Sequence, residues 1–317
     1  MREQKILIPL DGSRFAECAI PFALRAAKTL GAEVALVSAY DDRPMVGGWT
    51  LDPEPVREWF EEYVEKIASK IETGSGIQAS HTVIGGPVVR TLVEYIQRSQ
   101  PTMVMMSTHG RGPLSRAWLG SIADRVVRYA SMPVWLVRPD NGEMTLEPAP
   151  PINRVLLALD GSDRAEASIE WARRVGAEGA EYTLLQVVPP PHAVSPYLPQ
   201  LVQETKERLE EARQHAEDYL KRVEDRLRQE SVRVHSDVVI SDAVAGSIIG
   251  AAEKERSDLT VITTHGRTGL GRVLLGSVAD KVVRGAHGSV LIVRTAKMPA
   301  EGESEEAPAA LHHAHVR

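Results

Sequence analysis

The 317-residue sequence predicts an α/β protein built as two tandem, doubly wound open parallel sheets, each of strand order 3-2-1-4-5 with helices on both faces. Three observations predict it. Two phrases recur: "KILIPLDGSRFAECAI" (5–20) returns as "RVLLALDGSDRAEASI" (154–169), and "STHGRGPLSRAWLGS" (107–121) returns as "TTHGRTGLGRVLLGS" (263–277). Between Thr108–Ser121 and Thr264–Ser277, nine of fourteen positions are identical, where average residue usage gives roughly one. The period is long: Asp160 follows Asp11 by 149 positions, and Gly266 follows Gly110 by 156. Solenoid repeats run about 20–50 residues, so this is a duplicated domain. Finally, short apolar runs alternate with helix-period segments, and strands apolar on both faces belong to covered parallel sheets.

The elements follow in order. "ILIPL" (6–10) is a strand, and its exit "DGS" offers Asp11 or Ser13 as the cap of a helix that runs to Leu30 and stops at Gly31. Pro21 inside that helix pattern predicts a kink or a late start. "VALVSAY" (34–40) is the second strand. Val56, Trp59, Phe60, Tyr63, Val64, Ile67, Ala68 and Ile71 then keep i, i+3, i+4, i+7 spacing, which gives a helix one apolar face. Strand "IQASHTVI" (77–84), a helix near 88–98, strand "MVMMS" (103–107), a helix near 120–130 and strand "PVWLVR" (133–138) complete the first copy.

The second copy repeats this order through "SVLIVR" (289–294). Its seven extra residues are expected in or before a helix at about 201–230, lined on one face by Leu209, Ala212, Ala216, Leu220, Val223 and Leu227. The domains are therefore 1–140 and 153–296. They are joined by a linker, 141–152, within the proline-bearing "PDNGEMTLEPAPPIN" (139–153). The polar, aperiodic tail 297–317 reads as disordered.

Composition narrows the function. The net charge of −6 offers no polycation for nonspecific nucleic-acid binding. Cys18 is the single cysteine, which rules out an internal disulfide and reads as a small buried helix residue. The apolar run before Asp11 is too short for a signal peptide, and no run approaches the ~18 residues of a membrane span. A cytoplasmic protein is expected. His312, His313 and His315 lie in the tail without further ligands, so no metal site is assigned to them.

In an open α/β sheet, ligands bind at the carboxyl ends of strands where the winding reverses. Both recurrent motifs fall there, and in the order 3-2-1-4-5 they share one crevice. Gly110 and Gly266 let backbone N–H groups approach a ligand closely. Gly120–Ser121 and Gly276–Ser277 open a helix whose free N–H groups, positive dipole end and hydroxyl suit an anion. Across the crevice, Asp11 and Asp160 can accept from ribose hydroxyls or orient a bound metal ion. Plainer roles exist: Asp-Gly-Ser is also a turn and cap, and His109 and His265 could bond the loop backbone. The same constellation appearing twice in one strand–loop–helix context carries more weight.

No G-x-x-x-x-G-K-[ST] phosphate loop, no G-x-G-x-x-G after a first strand and no G-x-S-x-G elbow occurs. Phosphoryl transfer usually needs a phosphate-contacting lysine and a positioned carboxylate. Without that pair the expectation is binding, with no catalytic residue and at most slow ATP hydrolysis.

At this point the chain resembles the universal stress protein family in tandem form. "ILIPLDGS", "THGRGPLSRAWLGS" with "PVWLVR", and "LLALDGS", "THGRTGLGRVLLGS" with "SVLIVR" carry the resemblance, which covers all but linker and tail. The family's ATP-binding branch carries G-x2-G-x9-G-[ST], and each copy keeps its last three elements. The resemblance implies an ATP site, with Mg2+, at Asp11, the backbone near Ala39, Met106, Ser107, His109, Gly110, Gly120, Ser121 and Ile122. In the second copy it implies Asp160, Val187, Ile262, Thr263, His265, Gly266, Gly276, Ser277 and Val278. Both copies depart at the first glycine, replaced by Ser107 and Thr263, whose side chains either crowd a ribose or bond to it.

Family members commonly dimerise through their last strands. "VWLV" and "VLIV" are apolar on both faces and would be sticky edges if left alone. An intramolecular pseudo-dimer through those strands is expected, and a further homodimer is conceivable. The functional expectation is an ATP-binding stress-response or regulatory protein. The alternatives are a nucleotide-free protein-interaction module and a slow ATPase.

Overall fold

The computed structural model describes residues 4–43, 45–46, 49–50, 52–108, 119–138, 145–191, 199–264 and 275–294. The linker start at 141–144, the tail and the loops 109–118 and 265–274 lie outside them.

Strand β1 (Lys5–Pro9) leads to Ser13, whose hydroxyl accepts from Ala16 N–H at 3.2 Å and caps α1 (Arg14–Glu17). Pro21 then forces the outcome expected of it. The chain breaks at Cys18–Ala19, which leaves Cys18 half-buried at the end of α1 rather than buried within a helix, and restarts as α2 (Ile20–Leu30), with Pro21 in the first turn, where a missing N–H costs nothing. Gly31, at φ 62°, closes α2 in the left-handed conformation. In the second copy Glu170 stands in place of the proline, and α6 (Asp163–Val175) runs unbroken from its Ser162 cap. One residue thus decides between two short helices and one long one.

The first copy continues with β2 (Glu33–Tyr40), the two-residue strands β3 (Met45–Val46) and β4 (Trp49–Thr50), α3 (Glu54–Ser75), β5 (Ala79–Gly85), α4 (Val88–Ser99), β6 (Met103–Ser107), α5 (Ser121–Tyr129) and β7 (Val134–Val137). The β3–β4 hairpin was not expected from the sequence, and β5 starts two residues later than the apolar pattern implied. The second copy comprises β8 (Arg154–Ala158), α6, β9 (Glu181–Val188), α7 (Pro199–Gln229), β10 (Arg233–Ile240), α8 (Val244–Lys254), β11 (Leu259–Thr263), α9 (Ser277–Gly285) and β12 (Ser289–Val293). The added length falls where expected: α7 has 31 residues against 22 in α3.

Within the main sheet the five strands of each copy pair in parallel in the order 3-2-1-4-5, while β3 and β4 pair antiparallel apart from it. The copies then join. β7 and β12 pair antiparallel, with Val290 opposite Leu136, Leu291 opposite Trp135 and Ile292 opposite Val134, so one ten-stranded sheet runs β10-β9-β8-β11-β12-β7-β6-β1-β2-β5. Alternation along the strands feeds two cores. Trp135 and Leu291 pack on the face carrying α2, α3, α6 and α7. Val134, Leu136, Val290 and Ile292 pack on the face carrying α4, α5, α8 and α9. The described end of the linker is docked: Ala149 N–H donates to Pro21 O at 2.8 Å, and Arg25 Nε donates to Ala149 O at 2.7 Å.

Candidate functional site

The crevice of each copy is framed by the exits of its first and fourth strands. At the first exit, Leu10 N–H donates to Val37 O at 2.8 Å, and the buried Ser38 hydroxyl donates to Leu10 O at 2.8 Å. Gly12 then turns the chain at φ 80°, and Gly161 does so at φ 84°, a conformation that favours glycine. Asp11 Oδ1 accepts from Ser13 N–H at 2.9 Å and Ser13 Oγ–H at 2.5 Å. Asp160 repeats this with Ser162 at 3.1 and 2.6 Å. Ser13 and Ser162 in turn accept from Ala16 and Ala165 N–H. The turn-and-cap role of Asp-Gly-Ser is therefore real, and the helix that follows is closed by its own serine.

The fourth-strand exit is built differently. Beyond β6, the buried Thr108 donates its N–H to Val137 O at 2.9 Å and accepts from Gly120 N–H at 2.9 Å. Beyond β11, Thr264 donates to Val293 O at 3.2 Å and accepts from Gly276 N–H at 2.9 Å. These bonds pin the start of α5 and α9 to the strand ends. A Cβ on Gly276 would sit 2.9 Å from Thr264 O, so close backbone approach alone demands glycine there. Neither Gly120 nor Gly276 can cap its helix, and among the described residues no side chain does so. Two nine-residue helices thus present uncapped first-turn amides and an exposed serine, Ser121 or Ser277, at the positive end of the dipole.

The remaining named residues fall at the same sheet end. Ala39 lies near the carboxyl end of β2, opposite Ile84, and Val187 near that of β9, opposite Val239. Met106 and Ser107 close β6, both buried, and Ile262 and Thr263 close β11. Because β1 lies between β6 and β2, and β8 between β11 and β9, the three strand ends of each copy are adjacent. Ile122 is half-buried at the start of α5, and Val278 is exposed at the start of α9. His109, Gly110, His265 and Gly266 lie outside the described residues. So do Pro113, Trp118, Gly269 and Gly271.

Several residues near the site carry roles that the sequence reading left unassigned. In the first copy Tyr63 O–H donates to Glu17 at 2.7 Å. In the second, burial together with the carboxylates of Glu166 and Asp160 raises the Tyr219 hydroxyl far above the ordinary tyrosine value. The long helix α7 is also bonded to the helix that follows the second DGS turn, Arg226 Nη2 donating to Glu166 at 2.6 Å. Asp124 and Asp280 each pair with both Arg128 and Arg284, at 2.8–3.3 Å, joining α5 to α9 across the copies. Arg138 and Arg294, at the ends of β7 and β12, also reach across the seam. The signal for these was available: each arginine and aspartate recurs 156 positions later, like the glycine phrase. Among the described residues there is no group of three or more His, Cys, Asp or Glu able to hold a metal, and no helix long and apolar enough to cross a membrane.

A family model for the universal stress protein family matches residues 3–138 and 151–294. The chain belongs to the universal stress protein family. A universal stress protein of Mycolicibacterium smegmatis is 27% identical over 303 residues, spanning 92% of this chain and 97% of the relative. One from Mycobacterium bovis is 32% identical over 224 residues, spanning 68% of each. In fold, the crystal structure of a universal stress protein from Archaeoglobus fulgidus superposes with TM-score 0.67 at 21% identity, covering 93% of this chain and 99% of that one. The tandem organisation expected from the repeat is thus the organisation of family members matched over nearly their whole length.

Proposed function

We propose that this family member binds ATP, carried with Mg2+, at the strand-end crevice of each copy, and acts in stress response or regulation by changing state on occupancy. One observation carries the reading. In each copy the helix after the first strand is closed by its own serine, whereas α5 or α9 starts at a glycine pinned to the fourth-strand exit and, among the described residues, takes no side-chain cap. Free amides, a serine hydroxyl and a helix dipole are the donor set of a phosphate chain. In this reading Gly120–Ile122 and Gly276–Val278 hold the phosphates, Asp11 and Asp160 face the ribose, and Ala39, Met106, Val187 and Ile262 line the base. Ser107 and Thr263 stand at the ribose side. Mg2+ would be held chiefly by the phosphates, and its role would be to neutralise their charge. No catalytic residue is assigned.

The test uses Ser121→Glu and Ser277→Glu. A carboxylate at the first position of a helix is favourable for the helix itself, by about 0.3–1 kcal/mol. Roughly 5 Å from a phosphate charge, it costs binding about 2–3 kcal/mol at an effective dielectric constant of about 20–40. Calorimetry with Mg-ATP on protein stripped of nucleotide should give two sites for the natural chain and one for each single variant. The double variant should show none, with far-UV circular dichroism unchanged throughout. An unchanged isotherm in the double variant would refute the assigned cradles.

A further inference from the structure

The two proposed cradles are far apart in sequence, yet each cradle helix ends in the hand of the other copy. Arg138, just after β7, donates from Nε to Ala286 O at 2.9 Å and from Nη2 to Val283 O and Arg284 O at 2.8 and 2.6 Å. Those are the carbonyls at the C-terminal end of α9, groups that a helix leaves without internal partners. Arg294, just after β12, does the same for α5: its Nη2 donates to Arg128 O and, at 3.4 Å, to Val127 O. Both arginines are half-buried, and burial pulls their guanidinium groups below the usual arginine value.

Each arginine is also tied to the crevice of its own copy. Arg138 follows Val137, whose carbonyl accepts from Thr108 N–H, and Thr108 in turn accepts from Gly120 N–H at the start of α5. Arg294 follows Val293, which holds Thr264, which holds Gly276 at the start of α9. Short links therefore run from the start of α5 through Arg138 to the end of α9, and from the start of α9 through Arg294 to the end of α5. The four-residue ion cluster of Asp124, Arg128, Asp280 and Arg284 braces the two helices side by side.

We propose that Arg138 and Arg294 are positioning residues acting in trans, each fixing the axial position of the other copy's cradle helix, so that neither nucleotide site is complete without the opposite copy. This rests on the nucleotide reading for its functional meaning, but not for its first test. The fork geometry matters, because a guanidinium spans two or three carbonyls where an ammonium serves as a single point of charge.

The first measurement is hydrogen exchange on the full chain without nucleotide. Arg294→Met keeps the apolar stem, and it should speed exchange of the α5 amides about tenfold while leaving α9 unchanged, as expected for loss of a local restraint. Arg138→Met should do the reverse. The second measurement is Mg-ATP affinity in single-site backgrounds. With Ser277→Glu, so that only the first cradle binds, Arg294→Met should weaken binding about fivefold and Arg138→Met much less. With Ser121→Glu the order should invert, and Arg→Lys should restore part of each loss. A general loss of stability would affect both backgrounds alike, so equal effects, or exchange that rises in both helices together, would overturn the proposal. If the natural chain takes up no Mg-ATP, the nucleotide reading fails by itself, and the exchange pattern still decides the arginine roles.

Discussion

The seam between β7 and β12 consists of three residue pairs, and its strength is open to a quantitative test. Val290 and Leu136 face each other across it, each nearly inaccessible to solvent, under α5 and α9. Val290→Lys removes a fully buried side chain worth about 1.5–3 kcal/mol. Leaving an unpaired charge in the interior adds a further cost of about 3–5 kcal/mol. The sum is comparable to the whole stability of an ordinary domain, about 5–15 kcal/mol. At roughly 2–4 °C per kcal/mol for units of this size, thermal unfolding should fall by about 10 °C or more. Val56→Lys, at an exposed site on α3, should stay within about 0.5 kcal/mol of the natural chain. The decisive variant is the double one. Side chains directly opposite in an antiparallel pair lie about 4.5–5.5 Å apart, so Leu136→Glu combined with Val290→Lys should recover at least about 1 kcal/mol relative to the sum of the single changes. Calorimetric melting of the four proteins closes the cycle. Strict additivity, or a Val290→Lys melt within 2 °C or so of the natural chain, would refute the pairing of the copies through these strands.

Two further outcomes follow from local geometry. Gly276→Ala should lower the melting temperature, because its Cβ would press on the Thr264 carbonyl at 2.9 Å, whereas Gly74→Ala, inside α3 with nothing near the added atom, should raise stability by up to ~1 kcal/mol; equal effects at the two sites would remove the close-approach argument. The folded state holds the Tyr219 phenol protonated well past the pH at which the unfolded chain, near 10, releases it. Its contribution is complete below that pH and is lost as pH rises beyond it, so stability should decline in alkali, and Tyr219→Phe should make the decline shallower between about pH 10 and 11.5 in chemical denaturation. A natural chain and variant that decline in parallel would exclude Tyr219 as the titrating group.

Much of this architecture was legible because it depends on pattern. Apolar runs as short as "MVMMS" and "VWLV", bounded by turn residues, fit strands buried on both faces, and the recurrent glycine phrase fixed the duplication and its strand–loop–helix context. Pro21 announced the break that separates α1 from α2, since the missing N–H permits only a first-turn position. The sequence was silent where tertiary neighbours decide. Met45–Val46 and Trp49–Thr50 are too short to show a period, so their hairpin left no trace. Arg138 and Arg294 close the strand phrases "PVWLVR" and "SVLIVR" without any sign of their role, because the carbonyls they grip belong to helices in the other copy. Gly276 was legible as a glycine that suits an anion. That the Thr264 carbonyl requires it even without a ligand emerged only from the backbone path.

That double demand on Gly276 bears on why the domain was duplicated within one chain. A strand such as β12, with Val290, Leu291 and Ile292 all buried, cannot remain an edge. Supplying β7 from the same chain makes the pairing independent of protein concentration. It also brings α5 and α9 close enough for Asp124 and Asp280 to share Arg128 and Arg284. The edges left at the ends of the ten-stranded sheet are of another kind. In β5, Ser80, His81 and Thr82 interrupt the apolar pattern, and in β10, Arg233, His235 and Asp237 do so, a composition that discourages further strand addition. The sticky edges are thus spent inside the chain, and the helices they bring together are those whose opposite ends open into the two crevices. A charge introduced at the seam should therefore weaken both proposed sites as well as the fold, whereas one introduced on β5 or β10 should leave them unaffected.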